Sequence, residues 1–147
     1  MTGRYDGGGA VRTPLLGKRA NVALWTLQVL AAAFFALASA LPKLIAHSSA
    51  VEIFDRIGHG TWFMYLVGAL ELAGAVALLI PLLCGVAALA FIGLMIGAFT
   101  YELAVLGGEN AATPLIVIVV MAVIAWWRRD RTARLFGLLA GRERGRA

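Results

Sequence analysis

Charge is scarce in the interior of this chain. Between Val22 and Trp127 the charged side chains are only Lys43, Glu52, Asp55, Arg56, Glu71, Glu102 and Glu109. Charged residues make up 14% of the 147 and hydrophobic residues 61%, against roughly 25% and about 45–50% in soluble domains. One domain of this length has no aqueous core large enough for so many apolar side chains, so lipid is the solvent the composition asks for. Cysteine is nearly absent: Cys84 stands alone, which excludes an intramolecular disulfide and any CxxC centre and leaves a small apolar helix residue. The two histidines, His47 and His59, share one loop, which excludes a bis-histidine haem at membrane depth. Gly7-Gly8-Gly9 is followed by no Gly-Lys-Ser/Thr, so it is not a phosphate loop. No Ser-His-Asp constellation appears, and no catalytic residue is assigned. The net charge of +5 does not point to nucleic acid, because the arginines cluster at the two ends of the chain and not on a folded face.

Four apolar segments are present. They run over about 22–41, 62–81, 83–106 and 111–127, and about 20 helical residues cover a hydrocarbon core of about 30 Å. Pro42 is expected to end the first. Trp62, Phe63 and Tyr65 open the second, and Trp126-Trp127 close the fourth, as interfacial anchors do. The fourth is the shortest, with Pro114 in its first turn. Ala38-Ser39-Ala40 resembles a leader-cleavage site, but the apolar run before it is too long for a leader, so it is read as a span. Arg4, Arg12, Lys18 and Arg19 precede the first span. Arg128, Arg129, Arg131, Arg134, Arg142, Arg144 and Arg146 follow the last. Only Lys43 and Arg56 lie between spans, which sets both ends in the cytoplasm and requires an even number of crossings. The division is a flexible basic tail over 1–20, a membrane domain over 21–130 and a basic cytoplasmic tail over 131–147. Between spans one and two, Val51, Phe54 and Ile57 recur at helical spacing, with Glu52, Asp55, Arg56 and His59 on the other side. This predicts a short amphipathic helix lying at the outer interface, stopped by Gly58 and Gly60. The expected fold is thus all-α: a four-helix transmembrane bundle with one interfacial helix.

Glu71 is the most informative residue. It lies in the middle of the second span, where an ionisable group costs a few kcal/mol, about 2.5–3.5 for Asp, Lys or Arg. Gly68, Gly74 and Ala75 share its face, which predicts that Glu71 looks into the bundle. Either it binds a proton or ligand, such as a quinone or sterol-like head group, or it fixes helix register through a hydrogen bond or ion pair. Lys43 can turn inward toward Glu71 or snorkel to the surface. Gln28 can bridge helices. Thr100, Tyr101 and Glu102 form a polar cluster near the outer end of span three, where Glu102 either rests at the interface or joins Glu71 and Lys43 around one cavity. The ligand-binding candidates are therefore Glu71, Lys43, Gln28, Tyr101 and Glu102. His47, Glu52, Asp55 and His59 are metal-ligand types, but Arg56 lies among them and no compact ligand spacing is present, so they read as a solvated helix face. Gly93-Leu94-Met95-Ile96-Gly97 is a GxxxG motif. It is expected to pack against another span of the chain, and it is also compatible with a homodimer.

The sequence resembles the DoxX family of small four-span membrane proteins. The residues that carry the resemblance are Pro42-Lys43-Leu44, Ile57-Gly58-His59-Gly60-Thr61-Trp62-Phe63, Gly68 through Ala75 around Glu71, and Leu79-Ile80-Pro81. It spans roughly residues 22–130. The resemblance implies a four-helix bundle in a bacterial cytoplasmic membrane, and Glu71 and Lys43 match positions that the family pattern features. Some DoxX relatives are subunits of a thiosulfate:quinone oxidoreductase, and others are linked with membrane redox complexes that handle oxidative stress. It therefore implies an accessory subunit of a quinone-linked redox or oxidative-stress system, with other membrane or redox proteins as partners. Redox chemistry is not visible in the residues themselves, and no cofactor is evident; a quinone is the one that the resemblance admits. A non-enzymatic membrane scaffold is the competing expectation, and a small-solute or proton transporter the third.

Overall fold

The computed structural model describes residues 17–144, all of the secondary structure among them helical. Six helices follow in order: α1 Lys18–Leu44, α2 Ser48–Ile57, α3 Thr61–Leu79, α4 Cys84–Leu106, α5 Ala112–Trp127 and α6 Arg129–Arg144. Three of them, α1, α3 and α4, are long and apolar enough to cross a membrane. The fourth, α5, has 16 residues, about 24 Å at 1.5 Å per residue. It reaches the length of a span only together with α6, from which it is bent by 64°. The fold is an all-α transmembrane bundle.

The apolar residues divide between core and lipid. Buried positions on α3 are Met64, Gly68, Glu71, Ala75 and Leu78, a 4-3-4-3 spacing that keeps one stripe inward. Leu66, Leu70, Val76 and Leu79 on the same helix are exposed, as lipid-facing side chains are. At the centre, the rings of Phe35 on α1 and Phe91 on α4 stack with centroids 3.9 Å apart. Gly74 makes room for this stack, because a Cβ there would lie 2.6 Å from Phe91 Cζ. Leu78, Ala88, Met121 and Ile124 complete the same core.

Pro42 does not end α1, contrary to expectation. The helix widens into a π-type turn over Phe34–Ala40 and then continues to Leu44. Proline has no N–H, and its ring collides with the carbonyl four residues back in a regular helix, so a widened turn just before it lets the helix pass through. A second wide turn, Glu102–Leu106, closes α4 before Gly107 at φ +91°. The amphipathic helix α2 is present. His47 accepts from the Ser49 amide at its start, and Gly58 ends it in the left-handed conformation at φ +81°. Ala50 and Phe54 bury against Met64 of α3.

The tail expected over 1–20 lies largely outside the described residues. Lys18 and Arg19, assigned to it, already belong to α1. The stretch that the sequence marks only as a basic tail after the fourth span is helical from Arg129 to Arg144. The GxxxG motif does not pack against another span of the chain, as expected of it: a Cβ on Gly93 or Gly97 would meet nothing within 4 Å. The inward stripe of α4 is Ala87, Ala88, Phe91 and Met95, and Gly93 falls on its opposite side.

Candidate functional site

Glu71 is 3% exposed and meets two donors. Lys43 Nζ donates to its Oε2 at 2.8 Å, and the Ser39 hydroxyl donates to its Oε1 at 2.9 Å. Lys43 also donates to the Ser39 carbonyl at 2.9 Å and to the Ser39 hydroxyl oxygen at 3.0 Å. Ser39 and Lys43 are one turn apart on α1, bracketing the end of the wide turn, so both face α3. Gly68, one turn before Glu71, brings the backbones together: a Cβ there would lie 3.0 Å from Lys43 Cβ. Lys43 therefore turns inward and does not snorkel; its side chain is 16% exposed. This is the only ion pair among the described residues. Such a pair avoids the cost of two isolated charges in a medium that solvates neither.

The pair lies on the wall of a cavity of about 500 Å³ between α1, α2, α3, α4 and the start of α5. Much of the wall is apolar, with Phe34, Phe35, Phe54 and Met95 among it, while Tyr101 and Glu102 add polar groups from the far end of α4. The Tyr101 hydroxyl and His59 Nε2 share a hydrogen bond of 2.6 Å, and the ring of Phe63 lies 5.2 Å from that of His59. Glu102 Oε2 is buried without a hydrogen-bond partner among the described residues. Apolar walls around a few convergent polar groups are the usual form of a small-molecule site.

Of the five candidates, Glu71, Lys43, Tyr101 and Glu102 line this cavity and Gln28 does not. Gln28 is fully buried near the other end of the bundle. Its amide donates to the Leu78 carbonyl at 2.8 Å and accepts from Arg128 Nε at 2.9 Å. Arg128 Nη1 donates to Asn21 Oδ1 at 3.2 Å, and the guanidinium lies 5.9 Å from the Trp25 ring centroid. Thr100, grouped with Tyr101 and Glu102 in the sequence, bonds back to Ile96 of its own helix. His47 pairs with Ser49 and His59 with Tyr101. Among the described residues no group of three His, Cys, Asp or Glu side chains stands close enough to hold a metal ion.

Sequence reasoning missed Ser39, His59 as the partner of Tyr101, and Arg128 as a buried bridge. Ser39 carried a usable signal, its i,i+4 relation to Lys43. Arg128 carried none, since its partner Gln28 is 100 residues away.

The family model described as the DoxX-like family matches residues 26–134. The chain belongs to the DoxX-like family. All the residues of the cavity pair and of the Gln28–Arg128 bridge fall inside the matched segment of this DoxX-like protein. No curated protein and no solved structure matches the chain.

Proposed function

We propose that this DoxX-like protein holds a quinone head group in the cavity beside Lys43 and Glu71, as an accessory subunit of a quinone-linked membrane redox or oxidative-stress system. The observation that carries the reading is the buried Lys43–Glu71 pair on the wall of a largely apolar cavity of about 500 Å³. A lipid-soluble ring with polar oxygens matches both kinds of surface, and Phe34, Phe35 and Phe54 supply aromatic faces. Family membership supports a membrane protein, and the redox role extends it. The positive-inside rule orients the bundle with the arginine-rich α6 in the cytoplasm and α2 at the outer face of a bacterial cell membrane. The cavity then lies on the outer side. Other redox proteins of the membrane are the partners this role requires.

Mass spectrometry of small molecules retained by the purified protein in mild detergent tests the reading. Wild type is expected to carry a quinone, Glu71→Gln to keep part of it and Glu71→Leu to lose it. Equal retention by all three proteins, or no quinone in the wild type, would overturn it. A scaffold reading rests on a different observation: Phe136, Leu138 and Leu139 of α6 are exposed beyond the bend. Under that reading, removal of residues 131–147 abolishes complex formation and leaves ligand retention intact.

A further inference from the structure

The cavity is covered on some sides and open on another, and the packing shows where. Over its outer end lies α2, with Ala50 and Phe54 buried. The far end of α2 is fastened to the end of α4. Arg56 Nη2 donates to the Leu106 carbonyl at 3.3 Å, and His59, just beyond α2, shares its 2.6 Å hydrogen bond with Tyr101. The flank between α1 and α5 is built differently. These two helices do not pack closely along their length. They are joined through Arg128, which bonds Gln28 and Asn21 at the opposite end of the bundle from the cavity.

The cavity occupies the space left on that flank. Among its lining residues, Phe34 and Ala38 of α1, Ser49 and Ile53 of α2, and Asn110 and Thr113 at the start of α5 are exposed. They stand on α1 and α2 on one side and on α5 on the other, which places the opening between those elements as a slit in the side of the bundle. Behind it the wall of α4 is uncovered, since a Cβ on Gly97 would meet nothing within 4 Å. The slit is graded. Its upper end carries the hydroxyls of Ser49 and Thr113 and the Asn110 amide, at the level of lipid head groups when α2 lies at the outer face. Its lower end reaches Phe34, five residues before Ser39 on α1 and so about 7 Å deeper in the hydrocarbon than the Lys43–Glu71 pair. An opening in the flank of a bundle at that depth faces acyl chains, not water.

We infer that the cavity is loaded sideways from the outer leaflet, through the slit between α1 and α5, and that it takes a quinone with a hydrocarbon chain. The head group lies beside Lys43 and Glu71, and the chain runs inward past Ala38 and Phe34 and leaves through the slit into the bilayer. Slit and polar pair belong to one continuous cavity, so a single amphipathic molecule fills both. The inference rests on the reading of this cavity as a quinone site and adds to it the route of entry and the path of the chain. Phe34, Ala38 and Thr113 are thereby residues that receive the chain, distinct from the pair that receives the head group.

Photo-crosslinking of the full chain in lipid nanodiscs tests it. The probe is a decyl-substituted benzoquinone with a diazirine midway along its chain, and the same compound without the diazirine is the competitor. In the wild type, peptide mapping is expected to find the label on α1 around Phe34 and Ala38 and on the first turns of α5, and excess competitor is expected to remove it. Ala38→Trp and Thr113→Trp crowd the slit from its two lips and leave Lys43 and Glu71 in place. Each is expected to lose the competed label, and the wild-type map stands by itself should either variant fold poorly. Competed label found outside the slit, at Leu66 or Leu70 on the lipid face of α3 for example, would overturn the inference while leaving a quinone site in place. So would competed label undiminished in both tryptophan variants. Label that the competitor does not reduce would show bulk lipid in the slit, and would overturn the quinone reading and the inference with it.

Discussion

Replacement of both members of the Lys43–Glu71 pair is expected to cost less than replacement of either one. The pair is held at 2.8 Å with Glu71 3% and Lys43 16% exposed, so neither charge is screened well by water. Removing one partner of a buried pair costs about 3–5 kcal/mol, because the other charge is left uncompensated, whereas replacing both with apolar residues is often neutral or stabilising. The two single variants are not equivalent. In Glu71→Leu the long stem of Lys43 can swing back to the interface, which lowers the loss to about 2–3 kcal/mol. In Lys43→Met, Glu71 has a short stem at mid-span and keeps only the Ser39 hydroxyl, so the loss is about 3–5 kcal/mol. The Lys43→Met/Glu71→Leu double variant is expected within about 1 kcal/mol of wild type, a coupling of several kcal/mol between the sites. Reversible unfolding in mixed micelles of rising dodecyl sulfate content measures all four proteins. Additive effects, with the double variant less stable than either single, would refute the reasoning and make the pair a weak surface-like contact.

At the other end of the bundle, Gln28→Leu removes the acceptor of Arg128 Nε and leaves the Leu78 carbonyl without its donor. The expected loss is about 2–4 kcal/mol in the same unfolding assay, from two buried polar groups left unmatched, whereas Gln28→Glu, which restores an acceptor with a charge for Arg128, recovers part of it. Topology is open to labelling, since native Cys84 is buried and gives a silent background. A membrane-impermeant maleimide added to intact cells is expected to modify Glu109→Cys and to spare Arg134→Cys, and the reverse pattern would invert the proposed orientation.

What the sequence disclosed about the fold follows from which interactions are local. The apolar runs and the arginine clusters are one-dimensional signals, so four apolar helices and the amphipathic α2 could be read directly. Helix ends that depend on backbone accommodation could not. Pro42 reads as a terminator because proline is one in a regular helix, and the wide turn over Phe34–Ala40 that admits it has no sequence mark of its own. Glu71 stands out as a charge with small neighbours, and Gly68 and Gly74 do meet close approaches. What approaches them differs, Lys43 and Leu44 in one case and the Phe91 ring in the other. Gln28 reads as a helix bridge, and it is one, to the Leu78 carbonyl and Arg128; its place among the ligand candidates fails because depth along α1 separates it from Glu71, and spacing alone does not say which end of a bundle a residue serves. The GxxxG motif meets no other span of the chain because a motif names residues that permit contact, while the direction of contact is set by the rest of the helix.

The two polar clusters have opposite designs. Around Gln28 and Arg128 the groups are drawn from distant parts of the chain, Asn21 and Gln28 on α1, Leu78 on α3 and Arg128 at the junction of α5 and α6. They are buried except for the half-buried Asn21, they stand apart from the cavity at Lys43 and Glu71, and they tie three spans at one level, as a structural latch does. Around Lys43 and Glu71 the tie is between α1 and α3 alone, and the same groups form the wall of an open volume. A latch needs no cavity beside it, and the volume beside Lys43 and Glu71 is the feature on which the proposed ligand site rests. The bundle thus ties the end at Arg128 through the side-chain amides of Gln28 and Asn21, with Arg128 Nη2 buried and without a partner among the described residues, and leaves its α2 end hollow.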